Sequence, residues 1–230
     1  MERVTLLTQD KLFNSFLDKK YIPAGKDKYY LRNTQVKAPE GGWRHLTSNE
    51  IEALVKNDNT AMSWDSILVS EEFDPSMLKN NKFYGFVRIG RVTGDGLQYH
   101  DLRLPCGITN SSINSCDIGD DCAIHNVHYL SHYIIGDRCM LFNIQEMSCT
   151  DHAKFGNGIL KEGEEESVRV HLYVMNEAEC RQILPFDGMI AADAYLWAKY
   201  IDDTVLQDRL HSITQGSFDQ RRGFYGTVGN

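Results

Sequence analysis

The stretch that decides the reading of the fold is residues 108–150, ITNSSINSCDIGDDCAIHNVHYLSHYIIGDRCMLFNIQEMSCT. Large apolar residues recur at Ile108, Ile113, Ile118, Ile124, Leu130, Ile135, Leu141 and Met147, in steps of five, five, six, six, five, six and six. A helix requires spacings of three and four, and a half-buried strand requires two. Ile118-Gly119-Asp120-Asp121-Cys122 and Ile135-Gly136-Asp137-Arg138-Cys139 are near-copies seventeen residues apart, close to three hexads. A period near six fits a triangular coil in which the aliphatic residue points inward and Gly or Asp permits the corner. One coil cannot bury its own face, so coils must stack. The expected fold is mainly β: a left-handed parallel β-helix of hexapeptide repeats, with an α/β N-terminal region and a helical insertion near the C-terminus. An ordinary β-sandwich of short strands is the competing reading, because several steps are five.

Working outward, residues 1–104 read as an α/β region. Thr47 and Glu50 form a capping box before Ile51, Leu54 and Val55, which predicts a short helix ending near Asn57. FYGFVRIGRV, the turn Gly94-Asp95-Gly96 and LQYHDLRL read as a β-hairpin ending this region. Residues 105–176 carry the coils. Residues 177–222 hold the insertion, with Ile190, Ala194, Trp197 and Ile201 on one helical face and a second capping box of Thr204 with Gln207. Residues 223–230 resemble the opening of a new hexad, so the chain reads as the N-terminal part of a longer protein.

The 230 residues are 42% hydrophobic and 24% charged, which suits a globular protein. A net charge of −8 gives no general pull toward phosphate backbones or anionic lipid, so neither nucleic acid nor membrane is an expected partner. MERVTLLTQDKLFNSFL lacks an apolar h-region and a small-residue cleavage site, which points to the cytoplasm. None of the six cysteines forms a CxxC pair. Cys116, Cys122 and Cys139 each stand two residues before an aliphatic residue, the pattern of small hydrophobes in a narrow core.

The strings SINSCDIGDDCAIHNVHYLSHYIIGDRCMLFNIQEM, DHAKFGNGILKEGEEESVRV, ILPF, AADAYLWAKY and RRGFYGTVG resemble an uncharacterised bacterial family of long hexapeptide-repeat proteins of unknown function. The resemblance runs from about Trp43 to the end, and members of that family are two to three times longer. The wider superfamily holds acyltransferases, the β-helix domains of sugar nucleotidyltransferases and γ-class carbonic anhydrases. The resemblance implies a transferase, acyl or nucleotidyl, acting on a sugar or sugar nucleotide, with acyl-CoA or a nucleotide sugar as donor. It also implies self-association as a homotrimer. The alternatives are a non-catalytic scaffold or assembly module and a γ-carbonic-anhydrase-like metalloenzyme.

The resemblance makes His152 the candidate base, since enzymes of this class use a His to deprotonate the attacking acceptor, and imidazole titrates near operating pH. Asp151 and Glu146 are placed to orient it. Gly156, Asn157 and Gly158 form a loop whose N–H groups can meet an oxyanion, and Arg221 with Arg222 can hold a phosphate. His125, His128 and His132 are the candidate metal ligands. Their spacing within one stretch argues against convergence, because strand alternation sends neighbours to opposite faces. The acidic run Glu162-Gly163-Glu164-Glu165-Glu166 reads as a solvated surface.

Overall fold

The computed structural model describes residues 4–14, 16–17, 22–27, 29–36, 38–150, 167, 171–174, 181–185, 188–217 and 225–229. By contacts the chain divides into a first unit, residues 1–153 with 224–230, and a second, residues 154–223.

The first unit is built on three sheets. The first runs β1 (Arg44–His45), β3 (Ile67–Val69), β6 (Val87–Ile89), β11 (Asp117–Ile118), β14 (Tyr133–Ile135) and β19 (Gly226–Val228). The second holds β2 (Thr60–Ala61), β5 (Lys82–Tyr84), β10 (Ser112–Asn114), β13 (Leu130–Ser131) and β16 (Met147–Ser148). The third holds β4 (Leu78–Lys79), β9 (Gly107–Thr109), β12 (Ala123–His125) and β15 (Met140–Phe142). From β9 to β16 the chain visits the third, second and first sheets in rotation. Each pairing in these sheets is parallel except that of β1 with β3.

The eight apolar residues of the 108–150 stretch all lie on these strands and align in columns. Leu78, Ile108, Ile124 and Leu141 pair across the third sheet. Phe83, Ile113, Leu130 and Met147 pair across the second, and Ile89, Ile118, Ile135 and Val228 across the first. Ile108, Ile113, Ile118, Ile124 and Leu130 are all at most 1% exposed, so each contributes its full transfer free energy, about 1.5–3 kcal/mol. Cys116, Cys122 and Cys139 are free and buried.

Corners between strands use left-handed residues. Asn80, Asn110, Asn126 and Asn143 follow the third-sheet strands at φ 51 to 57°, where Asn is tolerated. Their amides form a ladder: Asn80 Nδ2 donates to Asn110 Oδ1 at 2.9 Å, Asn110 to Asn126 at 3.1 Å, and Asn126 to Asn143 at 3.1 Å. At another corner Asp120 N–H donates to Asp137 Oδ1, and Gly119 lies so close to Gly136 that a Cβ would sit 2.6 Å from its carbonyl carbon.

These observations correct the expected fold class. The protein is mixed α/β, and the left-handed β-helix of hexapeptide repeats is not the architecture found. The largest sheet is mixed, ending in the antiparallel strand β1, and the three sheets have unequal strand numbers of six, five and four. Helices α1 (Gln9–Asn14), α2 (Tyr30–Gln35) and α3 (Ser48–Lys56) belong to the same unit. The physical reason is that a five-to-six-residue period fixes one inward aliphatic residue per strand. It carries no information about winding or about which flanking segments join the sheets.

Two local expectations also change. Thr47 and Glu50 do cap α3, whose last residue is Lys56. The hairpin, however, is β7 (Gly96–Tyr99) with β8 (Leu102–Pro105), turning at His100-Asp101; FYGFVRIGRV instead supplies β5 and β6 to two different sheets.

In the second unit, β17 (Leu172–Tyr173) pairs antiparallel with β18 (Gln182–Ile183). Helices α4 (Ala191–Lys199) and α5 (Thr204–Ser217) follow, and Ile183, Leu184, Trp197 and Leu210 form a small core. The second cap is Asp203, whose Oδ1 accepts from Leu206 N–H; Gln207 donates instead to the carbonyls of Trp197 and Tyr200. Among the described residues no helix is long and apolar enough to cross a membrane.

Ile118→Ala removes a fully buried side chain from the first column and is expected to cost about 2–5 kcal/mol. Gly119→Ala, which drives a Cβ into the next turn's backbone, should also lower Tm. Gly229→Ala has open space around it and should shift stability by under about 0.5 kcal/mol. Urea denaturation of the three variants checks the order.

Candidate functional site

His152, Asp151, Gly156, Asn157, Gly158, Arg221 and Arg222 lie outside the described residues. Glu146 is exposed, and its Oε1 accepts a hydrogen bond from Ser148 Oγ at 2.6 Å.

The three central histidines do not come together. His125, on β12, spends both ring nitrogens locally: Nε2–H donates to the Pro105 carbonyl, and Nδ1 accepts from Thr109 Oγ1, each at 2.8 Å. His128, in the loop after β12, bonds Gln145 Oε1 through Nδ1 at 2.8 Å. His132 occupies the left-handed corner after β13 at φ 58°. Among the described residues no group of three or more His, Cys, Asp or Glu side chains is arranged to hold a metal.

The built polar site lies elsewhere, where the N-terminal arm meets the first sheet. Asp117 on β11 stands beside Arg88 on β6 in the parallel register. Arg88 Nε donates to Asp117 Oδ1 at 2.7 Å and its Nη2 reaches Oδ2, a two-point pairing. Arg32, on α2, donates to the same Oδ1 through Nη2 and to the Phe86 carbonyl through Nη1 at 2.7 Å. Arg88 Nη1 donates to Asn33 Oδ1 at 2.6 Å. Arg32 is fully buried, Asp117 is 2% exposed and Arg88 4%. Aromatic faces cover the cations: Phe86 and Tyr225 lie 5.1 and 5.2 Å from the Arg32 guanidinium, and Trp43 lies 5.4 Å from that of Arg88.

Burial alone would push the Asp117 carboxyl up, but the Arg32 and Arg88 guanidiniums outweigh it and hold the group below its usual value. Burial likewise works against the charge on Arg32, and Asp117 more than restores it. Burial pushes the Tyr225 hydroxyl up to about 12.

Beside this cluster is a cavity of about 20 Å³, with Arg32, His132, Tyr225, Ser115, Phe16 and Leu17 among its walls. The Phe16 ring stacks on His132 with centroids 3.8 Å apart. Burial, with help from the Arg32 charge, pushes His132 down to about 4, so its ring is neutral near pH 7. Arg32 Nε and His132 Nε2 are buried without a hydrogen-bond partner among the described residues.

Sequence reasoning passed over Arg32, Arg88 and Asp117. Asp117 and Arg88 are partners on adjacent strands yet lie 29 residues apart, because the β7–β8 hairpin lengthens that circuit; Asp117 and its other neighbour Ile134 are separated by 17. Arg32 lies 85 residues from Asp117, outside any repeat. The available signal was a pair of charged residues, Arg88 and Asp117, each one place before a core isoleucine.

The fold and site define a mixed α/β protein in which a buried ion cluster fastens an N-terminal arm to stacked parallel strands. A family model described as "Domain of unknown function (DUF4954)" matches residues 43–230, and the chain belongs to that family. It is similar to a protein of Treponema pallidum (strain Nichols) named only as uncharacterized, with 46% identity over 226 residues. That alignment covers 98% of this chain and 31% of the relative, so the chain spans about a third of the relative's length. No solved structure matches.

Asp117→Asn leaves two buried guanidiniums without a countercharge and is expected to cost about 3–5 kcal/mol, measured by denaturant unfolding. His132 gives a pH signature. Its folded value of about 4 lies below the 6.5 of an unperturbed ring, so the unfolded chain binds the extra proton first. Stability should therefore fall as pH drops from about 6.5 to about 4, by up to about 3 kcal/mol. His132→Asn, which suits the left-handed corner, should flatten that part of the profile.

Proposed function

We propose that this chain is a non-catalytic scaffold module. The observation that supports this reading is that the strand stack keeps its register across two insertions. The chain leaves after β6 for the β7–β8 hairpin and rejoins the third sheet at β9. It leaves again after β16 for the second unit and rejoins the first sheet at β19, where Ile135 pairs with Val228. A framework that accommodates inserted elements while its core columns stay aligned is suited to carrying other structures.

The side chains favour the same reading. The asparagine ladder ties four successive corners, and Asn81 joins Asn59 to the Ile108 carbonyl inside the stack. His125 and Asp117 are likewise consumed in bonds between strands.

A thermal-shift screen of the chain against acyl-CoAs and nucleotide sugars tests the proposal. The expected outcome is no saturable shift with either class. A ligand that stabilises by about 2.7 kcal/mol at a hundred times its Kd would overturn the scaffold reading in favour of a transferase.

A further inference from the structure

We propose that the cavity beside Arg32 and His132 is a binding site for one monovalent anion no larger than acetate. The proposal goes beyond the scaffold reading and stands on charge, on unpaired donors and on size.

Two guanidiniums, always protonated, share one carboxylate. Arg32, Arg88 and Asp117 together carry one net positive charge, and all three are at least nine-tenths buried. Among the described residues, the titratable His132, Tyr225 and Cys116 interact with this cluster; all are neutral near pH 7 and supply no countercharge. A buried charge is costly unless paired, and the aromatic faces of Phe86, Tyr225 and Trp43 offset it only in part.

The donors point the same way. Arg32 Nε–H has no hydrogen-bond partner among the described residues, although the Tyr225 hydroxyl lies close to the same guanidinium. On His132, Nδ1 lies 2.7 Å from Ser131 Oγ, which already accepts from Asn114 Nδ2 at 3.1 Å. In the tautomer proposed, the Ser131 hydroxyl donates to Nδ1 and Nε2 bears the ring proton, without a partner among the described residues. Two unsatisfied donors thus belong to walls of one cavity. Ser115 Oγ, another wall, already donates to Asn114 Oδ1 at 3.0 Å.

A water molecule would satisfy the two donors, but it would leave the excess positive charge uncompensated. An anion neutralises the excess charge. The cavity of about 20 Å³ fits a single small group, since one water needs on the order of 10–15 Å³ on the same measure. That size suits formate or chloride, with acetate as the upper limit, and a single net positive charge disfavours divalent sulfate.

The test uses the full chain in chloride-free buffer at constant ionic strength, titrated with sodium formate, acetate, chloride or sulfate. Formate, acetate or chloride should raise Tm saturably and sulfate should not; the order among the three separates a carboxylate site from a halide site. His132→Asn keeps a corner-compatible residue and removes the Nε2 donor. It should preserve the circular dichroism spectrum and weaken anion affinity by about tenfold or more. An equal response to all four salts overturns the proposal, and so does full affinity in folded His132→Asn. Should that variant fail to fold, line broadening of ¹³C-formate by the unaltered protein decides: saturable broadening displaced by chloride supports the site, and its absence overturns it.

Discussion

One carboxylate, Asp117, holds two guanidiniums that come from distant parts of the chain. Arg88 is its neighbour in the sheet, and Arg32 arrives from the N-terminal arm 85 residues away. Without that carboxylate two buried guanidiniums, one in the first sheet and one on α2, would face each other uncompensated. Buried ion pairs add modest net stability compared with apolar packing, but breaking one is expensive. Asp117 therefore acts less as a source of stability than as a determinant of where the arm docks. Leu17, Ile134 and Tyr225 pack together under the same arm, so the polar contact and the apolar one fix one arrangement.

The rest of the first unit follows from parallel pairing. Parallel strands are normally buried and read as apolar runs, yet here each is only two or three residues long, and β6, β12 and β14 are buried at all three positions. Such short strands are supported at the corners after the third-sheet strands, which side-chain hydrogen bonds tie to one another. Left-handed residues turn the chain, and asparagine or aspartate side chains bond to the equivalent corner one circuit away. Apolar columns inside and amide ladders at the corners enforce one register.

Some of this could be read in the sequence. The spacing from Ile108 to Leu141 located seven buried aliphatic positions though not Val127 or Ile134, and the cysteines beside those positions are buried as their pattern implied. Hand and sheet composition could not be read, because a one-dimensional period says only which residues face inward. That the first strands, from Thr60 to Ile89, belong to the same stack could not be read, because the hairpin interrupts the period and FYGFVRIGRV resembles one long strand. The ion cluster was hidden for a related reason. Charged residues at Arg88 and Asp117 look like exposed positions on alternating strands, and only the covering arm, which has no periodic signature, turns them inward. The candidate site argued from resemblance centred on His152, whereas the polar site that the described residues build shares only His132 with that reasoning, and there as a neutral ring stacked on Phe16.

The close approach at Gly119 and Gly136 has a bearing on how such a chain can diverge. At that corner the backbones of successive circuits nearly touch, so neither a larger residue nor an extra one can be accommodated. The segments after β6 and β16, by contrast, have absorbed a hairpin and a whole second unit. Length variation is thereby channelled: the lineage is free to lengthen the chain at those exits, while the glycine corner keeps a fixed residue count and acts as the ruler against which every later strand is set.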